Sequence, residues 1–423
     1  MSTLPQHHTQ TLPNGLRVVV IPMSNHSDVI TTNVFYDVGS RDETMGKSGI
    51  AHMLEHMNFK STKNLAEGEF DAIVKRYGGV NNAATGFDYT HYFIQSARRY
   101  LDRSLELFAE LMAHLNLADE AFQRERDVVA EERRWRTDNS PIGYLYFRLF
   151  NTHYTAHSYH WTPIGFMEDI QRWRIEDIRA FHRRFYRPDR AMIVVAGDID
   201  PAEVFASAAH HFGMITSPDS DPCDPLLTIT PVEPKHDGSR RVEIHHENAR
   251  NDTLAIAYPI PDFRHEDQVA LSVIAELLSS GKSSRLHEAM IRQEPLAHEV
   301  YGYNMELKDP GIFLFLAMGN PDVTAATMEA TLLREIDRLK TETIASEELE
   351  KVLINTRREF VHILESSTSL GDLFGSYLIR GDVTPLLNYE ANLDKITPDM
   401  IRRVAQRYFD HTVGTTLILR NSE

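Results

Sequence analysis

An α+β fold present in two copies is predicted by three features of this 423-residue sequence. Strand-like and helix-like segments follow one another in the same order in each half. The halves align at an offset of about 223 residues, the mark of a duplicated domain. A stretch crowded with Pro and Asp separates them near the middle of the chain. The expected architecture is therefore two homologous α/β sandwich domains, each a mostly antiparallel sheet with helices: residues 1–214, which carry the candidate chemistry, and residues 239–423, which do not, joined by a linker over 215–238.

The elements pair off in order. Each half opens on strands: residues 15–22 (GLRVVVIP) match 238–245 (GSRRVEIH), and 30–38 match 254–260. Apolar residues then recur at helical spacing over 49–58, 68–77, 101–117 and 119–137, with counterparts at 268–278, 284–293, 323–340 and 346–365. The run GIFLFLAMG at 311–319 is far short of the roughly 20 residues of a membrane helix and reads as a buried strand. Each half closes on an amphipathic helix, a turn and a strand, IEDIRAFHRRFYRPDRAMIVV at 175–195 and PDMIRRVAQRYFDHTVGTTLI at 398–418. There Ile178 falls on Ile401, Arg179 on Arg402, Arg184 on Arg407 and Phe185 on Tyr408.

Composition narrows the function. Hydrophobic residues at 42% and charged residues at 25% are ordinary globular usage. The net charge of −17 argues against nucleic acid or an anionic membrane as partner, and favours neutral or basic ones. Cys223 is the sole cysteine, so internal disulfides and all-cysteine zinc sites are excluded. Residues 1–14 contain neither the apolar core of a signal peptide nor an Arg-rich transit sequence, and a cytoplasmic location is expected.

The segment GIAHMLEHMN at 49–58 carries the chemistry. At about 100° per residue His52, Glu55 and His56 share one side of a helix, while Ile50, Met53, Leu54 and Met57 share the other. Two imidazoles one turn apart can reach a single ion, and a carboxylate beside them can act on water at that ion without being a ligand. This is the H-x-x-E-H arrangement, and a five-residue pattern needs a third ligand in a credible place. On the helix at 119–137, Glu125 and Glu132 fall on the side of Phe122, Val128 and Val129, whereas Glu131 points outward. Buried carboxylates need a counter-charge, and a divalent cation supplies one. A rival cluster, His153, His157 and His160, lies in a loop-like THYTAHSYHWTP with no carboxylate between its members.

These residues resemble the pitrilysin and insulinase family of zinc peptidases, and specifically its half-length members related to mitochondrial processing peptidase. In that family H-x-x-E-H is followed some 75 residues later by a glutamate in an E-R-x-V-V-x-E-E context, here ERDVVAEE ending at Glu132. The similarity extends through GSRDE at 39–43, GGVNNAATGFDYTHY at 78–92, the H-x-Y and P-I-G segment at 157–165, and GKSSRL at 281–286. The resemblance implies a zinc endopeptidase for unfolded or short peptides, with one Zn2+ per chain held by His52, His56 and Glu132, Glu55 as general base, and Glu125 as an additional acid tuning the site. It implies that Asn82 and Ala83, in an N-A-x-T strand, pair with extended substrate backbone. It also implies that an Arg and a Tyr seven residues on grip the substrate from the second half. Arg292 matches the first; His298 stands near the second, with Tyr301 and Tyr303 as alternatives.

Partners follow from the same reasoning. Peptide substrates, those with Lys or Arg favoured by the acidic field, are expected, with no membrane and no nucleic acid. Longer family members enclose a chamber with four such domains, so a homodimer is the default expectation and a heterodimer with a metal-free half-chain the alternative. The rival class is a non-catalytic or half-active core subunit of a larger complex. The set His52, Glu55, His56 and Glu132 speaks against it, because the second half, needing no metal, has Ala275, Leu278 and Ser279 at the matching positions of the first motif.

Overall fold

The computed structural model describes residues 3–216 and 231–421. Most of the 215–238 stretch, with Cys223, lies outside the described residues. The fold is mixed α and β with two sheets. The first orders its strands β1-β2-β6-β3-β5-β4, where β1 is His8–Thr11, β2 Arg17–Pro22, β3 Val29–Tyr36, β4 Val80–Thr85, β5 Thr90–Ala97 and β6 Ala191–Gly197. The second runs β7-β11-β8-β10-β9, from β7 Arg240–His246, β8 Thr253–Pro259, β9 Ala297–Met305, β10 Ile312–Gly319 and β11 Thr415–Asn421.

Apart from β1, the two sheets are the same object. β2 pairs parallel to β6 and β7 parallel to β11, and every other neighbour in either sheet is antiparallel. Helix Ile175–Phe185 and helix Pro398–Tyr408 begin and end at matching positions of the repeat. β6 is buried along its whole length and β10 along nearly all of it, which is why both read as unbroken apolar runs. Among the described residues no helix is long and apolar enough to cross a membrane.

The chain folds into two compact units that are not simple halves of the sequence. The first comprises Met1–Glu131, Trp161–Pro231 and Val361–Leu386, the second Glu132–His160, Val232–Phe360 and Leu387–Glu423, so far as these are described. Helices α1 Ile50–Asn58, α2 Glu69–Arg76, α3 Leu101–His114 and α4 Asp119–Arg133 serve the first unit, whose boundary falls inside α4 after Glu131. The next helix, α5 Pro141–His153, serves the second: His153 Nδ1 meets Thr415 Oγ1 of β11 at 3.0 Å. Its counterpart in the repeat, Ser367–Arg380, serves the first unit, where Ser367 Oγ bonds Thr31 Oγ1 of β3 at 2.9 Å. Each sheet is thus covered by the equivalent helix from the other half of the sequence.

This exchange needs a close approach. A Cβ at Gly375 would sit 2.2 Å from the ring of Phe35, itself fully buried and stacked on His91 at 4.1 Å. Gly375→Val should destabilise the first unit by about 3 kcal/mol, the upper range for overpacking a core. Urea unfolding checks this, and a midpoint equal to wild type would show that the helix does not pack on β3 as described.

Candidate metal centre

The site begins at the start of α1. Gly49 takes φ 85°, and a Cβ there would meet Ile164 O at 2.6 Å and Trp173 Cζ2 at 2.7 Å, so position and conformation both demand glycine. The buried carboxylate of Glu43 accepts from Gly49 N, Ala51 N and Trp161 Nε1, each at 2.8 Å. Ser48 is pinned in turn by Asp169, through its N at 3.0 Å and its Oγ at 2.6 Å. The helix therefore leaves a fixed point in a fixed direction.

Burial pushes the Glu43 carboxyl up to about 8, against the pull of its three donors. All three contacts come from N–H groups, one on Oε1 and two on Oε2, so in either orientation Glu43→Gln would turn an amide N–H2 toward at least one of these donors in place of an acceptor. The expected loss is about 1–3 kcal/mol of stability, seen as a lowered unfolding midpoint. An unchanged midpoint would mean that Glu43 does not cap α1.

Along α1, Ile50, Met53, Leu54 and Met57 are buried, and His52, Glu55 and His56 are half-buried on the other side. On α4, Phe122, Glu125 and Val129 are buried, Glu132 is half-buried and Glu131 is exposed. Val128 is 50% exposed, so the apolar face is narrower than the periodicity predicted. The ligand atoms of His52, His56 and Glu132 all lie within 4.8 Å of one another, and among the described residues no other group of three His, Cys, Asp or Glu does this. A His/His/Glu set that leaves one position open has the donor chemistry of a catalytic zinc site.

The neighbours orient these side chains. His56 Nδ1 meets Glu125 Oε1 at 2.9 Å, which makes Nε2 the ring nitrogen able to serve as ligand. Lys60 Nζ lies 2.5 Å from Glu125 Oε2. Burial raises the Glu125 carboxyl, but the bonds to His56 and Lys60 together outweigh it and hold the group below its ordinary value. Arg136 Nε reaches Glu132 Oε1 at 3.0 Å from the π-helical turn Arg134–Asp138. Thr85 Oγ1 donates to Glu55 Oε2 at 2.5 Å, tying the carboxylate to the end of β4.

β4 is the edge of its sheet. Gly86 N bonds Tyr89 O in the turn to β5, so by antiparallel alternation Asn81, Ala83 and Thr85 direct their backbone groups to the open side. Asn82 is exposed, and its Oδ1 accepts from Ala83 N at 2.9 Å. The second-half candidates lie in the second unit. Arg292 is exposed in the π-helical turn Glu288–Gln293 and pairs with Glu288. His298 is exposed on β9, the edge of the second sheet, with Tyr301 half-buried and Tyr303 exposed further along it. None of these belongs to the gathered set.

The rival histidines have structural partners. His153 bonds Thr415, His157 Nε2 meets Asp309 at 3.1 Å, and His160 Nδ1 meets Tyr154 O at 2.6 Å. Sequence reasoning assigned no role to Glu43, Lys60, Thr85 or Arg136, although Glu43 ends the GSRDE segment and Thr85 closes the N-A-x-T strand. Lys60, one turn past His56, carried a helical-spacing signal; the contacts of the other three come from folding that spacing alone does not announce.

Two family descriptions match the chain, "Insulinase (Peptidase family M16)" over residues 18–154 and "Peptidase M16 inactive domain" over 172–355. A relative named zinc protease PqqE, from Helicobacter pylori, is 49% identical over 99% of this chain and 94% of its own length. The crystal structure of a protease from Helicobacter pylori superposes with a TM-score of 0.96 at 47% identity, covering 99% of this chain and all of that one. A "probable mitochondrial-processing peptidase subunit beta" of Schizosaccharomyces pombe is 26% identical over 96% of this chain and 89% of its own length. On the identity and coverage of these relatives, the chain belongs to the insulinase family, peptidase family M16.

Proposed function

We propose that the chain is a zinc-dependent endopeptidase acting on unfolded or short peptides, with one zinc per chain held by His52, His56 and Glu132. The observation that carries this is the convergence of the three ligand atoms within 4.8 Å, with Glu125 fixing the tautomer of His56. When bound, zinc would lower the pKa of a water to about 7 and polarise a carbonyl as a Lewis acid. Glu55 takes a proton at its carboxylate and returns it to the leaving amide nitrogen. The Thr85 hydroxyl, bound to Oε2, limits rotation of that carboxylate during both transfers. Substrate backbone adds to the open side of β4 at Ala83, beside the exposed side chain of Asn82, whose own backbone groups face β5; such pairing reads extension more than side chains.

The relatives support a partner as well. One carries the word subunit in its name, and another is named cytochrome b-c1 complex subunit 1, mitochondrial. We infer a functional dimer, either of this chain or with a metal-free half-chain, in the cytoplasm. Arg292 and His298 are the second half's candidates for holding substrate.

The test is hydrolysis of a mixed peptide pool by the purified chain before and after chelation, with zinc added back. Activity that disappears with the metal and returns with zinc is expected, fastest for Lys- and Arg-containing peptides at low salt. Full activity in the chelated protein would refute the reading.

A further inference from the structure

A polar cavity of about 540 Å³ lies at the start of α4 and belongs wholly to the first unit. Four arginines line it: Arg126 on α4, Arg172 and Arg174 on the turn before helix Ile175–Phe185, and Arg179 on that helix. In a chain with 61 acidic and 44 basic residues most arginines find a carboxylate; neighbouring Arg124, for example, pairs with both Glu120 and Glu67. Among the described residues none of the four cavity arginines forms an ion pair, although Asp119 and Glu176 line the same space. Asp119 accepts instead from Gln123 Nε2 at 3.1 Å.

Two of the four are held in place. Arg179 donates Nε and Nη2 to Leu117 O, at 3.1 and 2.7 Å, and Arg126 lies 5.9 Å over the ring of Phe122. Arg172 and Arg174 are exposed and able to close on a ligand. Four guanidiniums against the two carboxylates of Asp119 and Glu176 leave the cavity an excess of positive charge that an anion from outside can offset. Guanidinium forks match phosphate oxygens with two parallel hydrogen bonds, and the volume is that of a small-molecule pocket rather than a site for a single small ion.

We propose that this cavity binds a small polyanion with two or more linked phosphoryl groups. Linked phosphoryl groups can engage several guanidiniums at once, and a peptide carboxylate offers one charge where each phosphoryl group offers one or more. The site rests on charge and geometry alone and stands whether or not the chain is a peptidase.

The test is titration of the full, zinc-loaded chain with inorganic tripolyphosphate, followed by calorimetry, beside the double variant Arg172→Ala/Arg174→Ala. Neither residue belongs to the metal centre. Binding should weaken at least tenfold in the double variant, recover in part in Arg172→Lys/Arg174→Lys, and weaken with added salt. Orthophosphate should bind more weakly than tripolyphosphate. Tripolyphosphate also chelates zinc, but that signal would be the same in both proteins; equal titrations therefore overturn the proposal, as does an absence of binding. Displacement of tripolyphosphate by an oligoglutamate peptide of equal charge at equal concentration would also overturn it, by showing that the cavity takes acidic peptides instead.

Discussion

Glu55→Gln is expected to lower the rate of peptide hydrolysis by about 10²–10⁴-fold, the usual worth of a general base, while the chain keeps one zinc. The two readouts separate because Glu55 is not among the three converging groups: those are His52, His56 and Glu132, and Glu55 is bound to Thr85 on the β4 side. Gln keeps the length of the side chain and an oxygen able to accept from Thr85, so the helix face keeps its shape. What it loses is the capacity to take a proton. Zinc analysis and steady-state kinetics on the same preparation check this. A Glu55→Gln protein that lost its zinc would make Glu55 a ligand or a support for one. A protein that kept both zinc and full activity would remove the general-base role altogether.

The duplication was legible because both copies keep the same local patterns. Ile178 on Ile401 and Phe185 on Tyr408 mark helices that occupy equivalent places in the fold. The H-x-x-E-H face was legible because a helix converts spacing into direction, and the three groups do stand opposite Ile50, Met53, Leu54 and Met57. The exchange of α5 and Ser367–Arg380 was not. Equivalent amphipathic helices present similar faces, and nothing local says which of two similar sheets each will cover. Gly375 against Phe35 is a packing fact between residues 340 positions apart. Thr85 on Glu55 is likewise a tertiary contact, made where an edge strand ends beside α1. The outward turn of Val128 shows the limit of periodicity from the other side: α4 buries a narrow stripe, and a residue 60° from its centre is already half in water.

The choice of third ligand gives the second large effect. Glu131 and Glu132 are adjacent acids in one helix, and about 100° of rotation between them decides which one faces His52 and His56. Glu131 is exposed, while Glu132 is half-buried with a carboxylate oxygen in the group formed with His52 and His56. Glu132→Gln should weaken zinc binding by more than about 100-fold, beyond the 10–100-fold typical of losing an outer hydrogen-bond partner, and activity should fall with it. The variant should still fold, because Gln retains an oxygen for the Arg136 bond made at 3.0 Å. Glu131→Gln should change neither zinc affinity nor stability by more than about 0.5 kcal/mol, as for most surface substitutions. Competition against a zinc chelator, run on both variants together with thermal unfolding, distinguishes the two carboxylates. If Glu131→Gln loses the metal and Glu132→Gln keeps it, α4 is rotated relative to α1 from the arrangement described, and the ligand set must be redrawn.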